Sequence, residues 1–188
     1  MTGSKYFAKV LKSKSLIISR LDSRYTGINQ DLISQFGSHD PQNFAIYPTY
    51  ITGFLDYFHN TLGVRKDLQY TIAIGDRDGF KWDWHHEGNQ KWNTQAAINT
   101  APSMARAFSR YPNTKLIILD GYSDITTVFY GVEYTINHLG LTPEIRVNII
   151  IKYHEAGHMM YTHKPSLIKF KEDIESFVSE QSKILSNP

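Results

Sequence analysis

The chain has 188 residues, which is long enough for one domain that buries roughly 70% of the surface its unfolded form exposes. Its 20 Lys and Arg residues nearly balance its 18 Asp and Glu residues, so no excess of charge predicts a nucleic acid or an anionic membrane as partner. The absence of Cys excludes disulfides, thiol nucleophiles and zinc sites with thiolate ligands, and no apolar run approaches the roughly 20 residues that span a bilayer.

Residues 1–110 predict a mostly helical region that is rich in loops. Helical spacing of apolar residues predicts three helices, over 5–13, from about Tyr47 and Pro48 to Gly63, and over 102–110. Short extended segments are predicted at 16–18 and 70–74. Two stretches predict loops, 31–43 and 75–92, and the second is long and aromatic, which is typical of a functional or covering loop.

The pattern changes at residue 111, where strands and helices begin to alternate. Residues 115–119 are a continuous apolar run after Lys115, which is typical of a strand buried in a parallel sheet, and the β-branched residues of 148–153 predict a second buried strand. An amphipathic helix lies between them, and a last helix is predicted from about Pro165. Its expected buried face comprises Leu167, Phe170, Ile174 and Phe177. This order predicts an α/β unit over 111–188 beside the helical region 1–110.

The second strand runs into a cluster of histidines that allows two interpretations. His154-Glu155-Ala156-Gly157-His158 fits H-E-x-x-H, the zinc-protease pattern, which requires a helix so that both imidazoles reach one metal ion. The isoleucines at 149–151 instead favour an extended backbone, and Gly157 costs about 1 kcal/mol inside a helix. His163 also falls one residue short of the spacing expected for a third ligand. The sequence therefore favours a strand followed by a loop, with the zinc protease as an alternative.

In the strand interpretation, an acid and a histidine follow the two strands. Reactive groups collect beyond the carboxyl ends of strands in open α/β sheets, and here those ends present Asp124 and His158. They stand in the order of the last two members of a Ser, Asp, His hydrolase triad. The alternative is structural: Asp124 caps a helix that starts near Ile125, and His158 is an ordinary loop residue.

Several segments resemble the C-terminal part of bacterial serine carboxypeptidase-like α/β-hydrolases. The resemblance covers nearly the whole chain, and its most specific parts are Gly-x-x-Asp and Gly-His-Met. The matching segments are Ser19-Arg-Leu-Asp-Ser-Arg-Tyr-Thr-Gly, Pro48-Thr-Tyr through Leu62-Gly63, Leu119-Asp-Gly-Tyr-Ser-Asp-Ile-Thr-Thr, Glu133-Tyr-Thr-Ile-Asn-His-Leu-Gly-Leu, Tyr153-His-Glu-Ala-Gly-His-Met-Met-Tyr and Lys164-Pro-Ser-Leu.

The resemblance implies an α/β fold in which residues 111–188 are the last two parallel core strands of a hydrolase with their helices, and residues 1–110 are a mostly helical cap or lid. Asp124 would be the triad acid and His158 the triad base, acting on peptides with neither a metal nor a cofactor. The family's nucleophile lies in Gly-Glu-Ser-Tyr-Gly, and no Gly-x-Ser-x-Gly occurs here.

The chain is therefore expected to need a missing N-terminal half that carries the serine, and to be inactive alone. The alternative is a non-catalytic remnant that self-associates through an exposed sheet edge. The resemblance would place the protein in the periplasm or outside the cell, although the sequence itself does not identify the compartment.

Four further groups of residues carry structural expectations. Arg20, Asp22 and Arg24 are expected to form an ion network that braces the cap, and Trp82, Trp84 and Trp92 to pack a lid. A solvated loop is expected of His85, His86 and Glu87. Met159 and Met160 are expected to pack beside the histidine.

Overall fold

The structure is a computed structural model, and it describes residues 6, 9–11, 15–29, 40–64, 67–73, 79–81 and 99–186. The chain forms two compact units, one of residues 1–42 with 101–188 and the other of residues 43–100. The first unit joins the N-terminal residues to the C-terminal α/β segment. The sequence-based boundary at residue 110, which separates a cap from a core, stays a prediction.

The first unit contains a hairpin and a small parallel sheet. Strand β1 (Leu16–Ile18) pairs antiparallel with β2 (Thr26–Ile28), and β3 (Leu116–Gly121) pairs parallel with β4 (Ile149–His154). The helices of the C-terminal segment are α2 (Ala101–Arg110), α3 (Phe129–Asn137), the short α4 (Pro143–Arg146) and α5 (Lys164–Ser186), with a 3-10 turn at Met160–Thr162. The predicted strand, helix, strand, helix order is confirmed, and α4 and the 3-10 turn are additions to it.

Helix α1 (Pro41–Asp56), which continues as a π-helical turn (Tyr57–Thr61), begins earlier than the sequence predicts. The expected start near Tyr47 and Pro48 is wrong, and so is the loop assignment of residues 41–43. Asp40 Oδ1 accepts the Gln42 N–H at 3.1 Å, and a Pro follows it at the first helical position, so Asp40-Pro41 is the start signal. Gly63 ends the helix with φ of +66°, as predicted.

The strand expected at 70–74 does not form over residues 70–73, and residue 74 lies outside the described residues. The ring of Tyr70 instead packs on α1, with its centroid 5.2 Å from that of Phe54 and 5.6 Å from that of Phe58. The backbone around Tyr70 is therefore positioned by aromatic packing on a helix. It has no strand partner among the described residues.

The register of the sheet decides which helices its two faces meet. Leu116 lies opposite Ile149, and each following residue keeps the same offset up to Gly121 opposite His154. One face of the sheet carries Leu116, Ile118, Ile149 and Ile151. These side chains pack in a core with three buried residues from the helical segments: Phe108 of α2, Ile136 of α3 and Leu139, which follows α3. The other face carries Lys152 and His154 and meets α5.

The buried face of α5 differs from the expected one at its first position. Leu167 is exposed, whereas Ser166 is buried and Phe170, Ile174 and Phe177 are half-buried. The reason lies in the facing strand, because Lys152 and His154 of β4 both lie within 4 Å of the Asp173 carboxylate on α5. The helix therefore turns a partly polar stripe inward, and an apolar count alone misplaces its face.

The described residues combine helices and strands with a small parallel sheet, which is compatible with the α/β class. No helix among them is long and apolar enough to span a membrane. Of the segment 5–13, Tyr6 and residues 9–11 are helical, and its other residues are not described.

Candidate functional site

Asp124 lies on the turn that follows β3, and its carboxylate is almost fully buried, with 3% of the residue exposed. Its Oδ1 accepts the backbone N–H groups of Thr126 at 2.8 Å and of Thr127 at 2.9 Å. Its Oδ2 is left to face the end of β4. The capping role that the sequence allows is therefore carried by one oxygen alone.

His158 lies four residues beyond β4, and its Nδ1 is 2.8 Å from Asp124 Oδ2. This contact requires Nδ1 to carry the proton when Asp124 is ionised, which leaves Nε2 as the lone-pair nitrogen. Nε2 makes no hydrogen bond within the described part of the chain, and 46% of the side chain is exposed. The pair can therefore take up a proton at Nε2 while the carboxylate holds the ring, which is what a triad acid and base do.

Thr127 is a third member of this group that the sequence analysis does not identify. Its hydroxyl donates a short hydrogen bond to Asp124 Oδ2, and its Oγ1 lies 3.2 Å from His158 Nδ1. The same oxygen of Asp124 thus meets both Thr127 and His158. A threonine three residues after an acid is a common capping arrangement, so this spacing is the only signal in the sequence.

The surroundings of Asp124 favour its ionised form. Burial by itself raises the pKa of Asp124, but hydrogen bonds from Thr127, His158 and Thr126 outweigh it and hold the pKa below the ordinary value. Asp120, the other buried carboxyl at this end of β3, has a pKa raised by burial. Of the two, Asp124 is the one that its environment keeps charged beside His158.

Gly121, the last residue of β3, lets the end of this strand and the loop after β4 touch. A Cβ built on Gly121 would lie 2.5 Å from the Gly157 carbonyl oxygen and 2.6 Å from that of Ala156. The Ser123 N–H also donates to the Ala156 carbonyl at 2.9 Å. No side chain fits between these two backbones, so Gly121 is required for the approach that brings Asp124 to His158.

The loop of residues 19–25, which we call the N-terminal clamp, holds the backbone of the His158 loop. Asp22, 1% exposed, accepts the Gly157 N–H at 3.1 Å, and the Leu21 carbonyl accepts the His158 N–H at 2.6 Å. Arg24 pairs with Asp22 at 2.6 Å and donates to the Glu155 carbonyl at 2.6 Å. The clamp therefore contacts the backbone of three residues of this loop.

The clamp also contacts the turn after β3. The Arg20 carbonyl accepts the N–H of Ile125 at 3.1 Å and the hydroxyl of Thr126 at 3.1 Å, while Ser23 N–H donates to the Ser123 carbonyl at 2.8 Å. The ion network expected of Arg20, Asp22 and Arg24 thus exists as an Asp22–Arg24 pair, with Arg20 contributing its backbone. It braces the acid and the histidine, whereas the sequence analysis assigned it to a cap.

Charge keeps the clamp in place. Burial raises the pKa of Asp22, but hydrogen bonds and charge from Arg24, together with the Gly157 N–H, outweigh it and lower the pKa below the ordinary value. Asp22 is therefore a buried carboxylate with a bound guanidinium and two backbone donors, from Arg24 and Gly157. The contacts of the clamp with residues 155, 157 and 158 join residues more than 130 positions apart, and no local pattern in the sequence indicates them.

The zinc interpretation requires a helix that the structure does not contain. His154 is the last residue of β4, and residues 155–159 form a loop with bends and no helix. His154 is 1% exposed and faces α5, where its Nε2 lies 3.5 Å from Asp173 Oδ2, while His158 faces Asp124. Within the described ranges, no group of three or more His, Cys, Asp or Glu residues could hold a metal ion.

The other sequence-selected residues divide between described and undescribed parts of the chain. Met160 is buried and Met159 is half-buried, which agrees with the packing expected of them. The tryptophans and the His-His-Glu segment of the aromatic loop lie outside the described residues: Trp82, Trp84, Trp92, His85, His86 and Glu87.

Comparisons of the chain with protein-family models, with curated proteins and with solved structures found no match. The assignment of a function therefore rests on the geometry of the site and on the resemblance of its motifs.

Proposed function

We propose that the chain supplies the acid and the base of a serine-type peptidase that resembles carboxypeptidases, and that the nucleophilic serine comes from another segment. The observation that carries this proposal is the 2.8 Å contact between Asp124 Oδ2 and His158 Nδ1, in a ring that is half-exposed and whose Nε2 has no hydrogen-bond partner among the described residues. In this role Asp124 stabilises the imidazolium while His158 takes the proton of the serine and returns it to the leaving amine. Peptides are the substrate class that the resemblance implies.

An outside serine is part of this proposal because no Gly-x-Ser-x-Gly occurs in the sequence. The side chain of His158 bonds to Asp124 and Thr127, and none of the serine hydroxyls that the structure describes reaches it. A base without a nucleophile cannot start acyl transfer, and the loss of a triad serine leaves only a small remnant of the rate. The pure 188-residue chain is expected to leave a blocked dipeptide uncleaved.

The test uses the chain alone and the chain expressed with the coding sequence that precedes it in its gene. The longer protein is expected to release C-terminal residues from a blocked dipeptide. His158→Ala should reduce kcat by orders of magnitude, up to about 10⁶-fold by analogy with other triads. His138→Ala is the matched control, since His138 is an exposed histidine on another surface. Full activity in the His158→Ala variant, or robust cleavage by the chain alone, would contradict the proposal.

A second function, self-association as an interaction module, is supported by the two edges of the parallel sheet. In the observed register, Ile117 and Leu119 of β3 direct their backbone N–H and C=O groups away from β4, and none of these four groups has a partner among the described residues. The outer edge of β4 is different. Arg146 donates to the Ile149 carbonyl at 2.9 Å, and Lys169 donates to the Tyr153 carbonyl at 3.0 Å.

An open apolar edge invites another strand, whereas charged side chains protect an edge from pairing. We commit to a second copy of the chain as the occupant, because Ile117 and Leu119 are two residues apart and the same edge of an antiparallel second copy presents matching N–H and C=O groups to them. An antiparallel pair around a twofold axis at Ile118 sets Ile117 of each copy opposite Leu119 of the other. These are the two residues of β3 whose backbone groups have no partner in the described part of the chain. An isologous dimer of this kind covers the β3 edge of each copy with the β3 edge of the other copy.

Hydrogen exchange tests this interface at single residues. Light scattering should find a dimer, and the amides of Ile117 and Leu119 should become protected as the protein concentration rises. The amide of Ile151, on the outer edge of β4, is the control and should not change. A monomer at high concentration, or a dimer that leaves both β3 amides unprotected, would refute this interface.

A further inference from the structure

The Asp124 carboxylate receives four hydrogen bonds from the residues that the structure describes, and they are divided evenly between its two oxygens. Oδ1 takes the backbone N–H groups of Thr126 and Thr127, and Oδ2 takes the Thr127 hydroxyl and His158 Nδ1. Two contacts on each oxygen fill the acceptor capacity that an ionised carboxylate offers in one plane. Rotation of the carboxylate would break the hydroxyl contact and the histidine contact together.

The Thr127 hydroxyl has one proton, and its geometry shows where that proton goes. The short contact is with Asp124 Oδ2, which can only accept when it is ionised, so Thr127 donates there. Its lone pairs then face His158 Nδ1 at 3.2 Å. The Nδ1–H of His158 therefore meets two oxygens, with Asp124 the nearer.

We propose that Thr127 is a positioning residue: its hydroxyl fixes Asp124 Oδ2 in the direction of His158 and so holds the imidazole in the tautomer with the proton on Nδ1. This inference rests on the proposed function, because it assigns Thr127 to the same acid and base. It acts on the orientation of the pair and touches no substrate. Backbone bonds to Oδ1 alone would hold the carboxylate at one end and leave Oδ2 free to move.

The neighbouring threonine provides a control that differs in one contact. The N–H groups of both Thr126 and Thr127 donate to Oδ1, and valine in either place keeps that bond and the β-branched shape. The hydroxyl of Thr126, however, donates to the Arg20 carbonyl at 3.1 Å, away from the carboxylate. Thr126→Val and Thr127→Val thus remove equivalent hydroxyls, of which only the second contacts Asp124.

The experiment is NMR on the 188-residue chain, with two readouts at the pair itself. The first is the His158 Nδ1–H proton resonance, which is observable only while a hydrogen bond protects it from exchange with water. The second is the carboxyl carbon of Asp124 followed through a pH titration. Thr127→Val is expected to lose the proton resonance and to move the Asp124 titration to higher pH. Thr127→Ser and Thr126→Val are expected to match the unmodified chain.

A role limited to the shape of the turn would lower stability without moving either readout. A folded Thr127→Val variant in which either readout stays unchanged would therefore overturn the proposal. If Thr127→Val does not fold, Thr127→Ala replaces it with the same expected results, and circular dichroism establishes the folded state first. Neither readout involves hydrolysis, so the proposed function can be refuted by the activity test while Thr127 still passes this one. Equally, Thr127 can fail this test while the proposed function holds.

Discussion

Replacing Gly157 by alanine tests whether the N-terminal clamp positions His158. A Cβ at residue 157 would lie 2.2 Å from the Leu21 carbonyl oxygen and 2.4 Å from the Asp22 Cβ, both below any normal contact. The Leu21 carbonyl oxygen is a backbone atom and cannot rotate away as a side chain can. The loop after β4 and the clamp must therefore move apart by about 1 Å to reach ordinary van der Waals distance. That movement breaks the contacts that join them.

The cost can be estimated from the two bonds at stake. The Gly157 N–H bond to the Asp22 carboxylate has a charged acceptor and contributes about 1.5–3 kcal/mol, and the His158 N–H bond to the Leu21 carbonyl contributes about 0.5–1.5 kcal/mol. Gly157→Ala is therefore expected to lower the free energy of unfolding by about 2–4.5 kcal/mol. Against a typical total of about 5–15 kcal/mol, the variant should still fold.

The assay is urea unfolding together with the His158 Nδ1–H resonance in the folded variant. With a typical urea slope of about 2 kcal/mol/M, the unfolding midpoint should fall by about 1–2 M, and the resonance should be lost because His158 moves away from Asp124. Gly131→Ala is the control in the same unit, since its Cβ would meet only one methyl group of the exposed Val128 at 3.3 Å. It should not lower the free energy of unfolding by more than about 0.5 kcal/mol, and alanine inside α3 can raise it by up to about 1 kcal/mol. An unchanged midpoint with a retained resonance in Gly157→Ala would refute the reasoning.

Three further predictions concern pH, metal and packing. Burial lowers the pKa of His154 below its ordinary 6.5. As the pH drops below about 6.5, His154 therefore becomes protonated in the unfolded chain before it does in the folded one, and the free energy of unfolding should fall. His154→Phe should remove this loss of stability from urea unfolding measured at a series of pH values. The lowered pKa of Asp22 places a second loss of stability below its ordinary 3.8, which His154→Phe should leave in place. Elemental analysis of protein purified without chelator should find less than one zinc per chain, and stoichiometric zinc that depends on His154 and His158 would contradict the strand assignment. On α5, Leu167→Ala should change stability by less than about 0.5 kcal/mol, whereas Phe170→Ala should cost more than about 1 kcal/mol; equal effects would contradict the observed helix face.

The strands were predictable because their signal is local. Residues 115–119 and 148–153 contain the apolar runs 116–119 and 149–151, and in the structure they form β3 and β4 within one residue at the start and two at the end. The start of α1 was also encoded locally, in Asp40-Pro41, but Pro48 offered a competing start signal. The sequence alone does not decide between two prolines that each fit the first turn of a helix.

The clamp was not predictable, because its physical basis is a contact between distant parts of the chain. Asp22, Leu21 and Arg24 form hydrogen bonds with backbone groups at 155–158, and the sequence of a charged turn does not indicate which distant residues it contacts. The predicted buried face of α5 was partly wrong for a related reason. The inward position of Asp173 depends on Lys152 and His154, which lie on a strand whose facing side is fixed only by the register with β3.

The sequence offered Asp124 two roles as alternatives, a cap for the following turn or the acid of a catalytic pair. A carboxylate has two oxygens, and the structure assigns the cap to Oδ1 and the histidine to Oδ2. The same separation resolves His154-Glu155-Ala156-Gly157-His158, since a strand that ends at the first histidine sends it to α5, and the turn at Gly157 sends the second to Asp124. Backbone geometry, more than residue type, therefore decides which chemistry each pattern can support. A pattern that is equally compatible with a helix and a strand carries no function until that geometry is known.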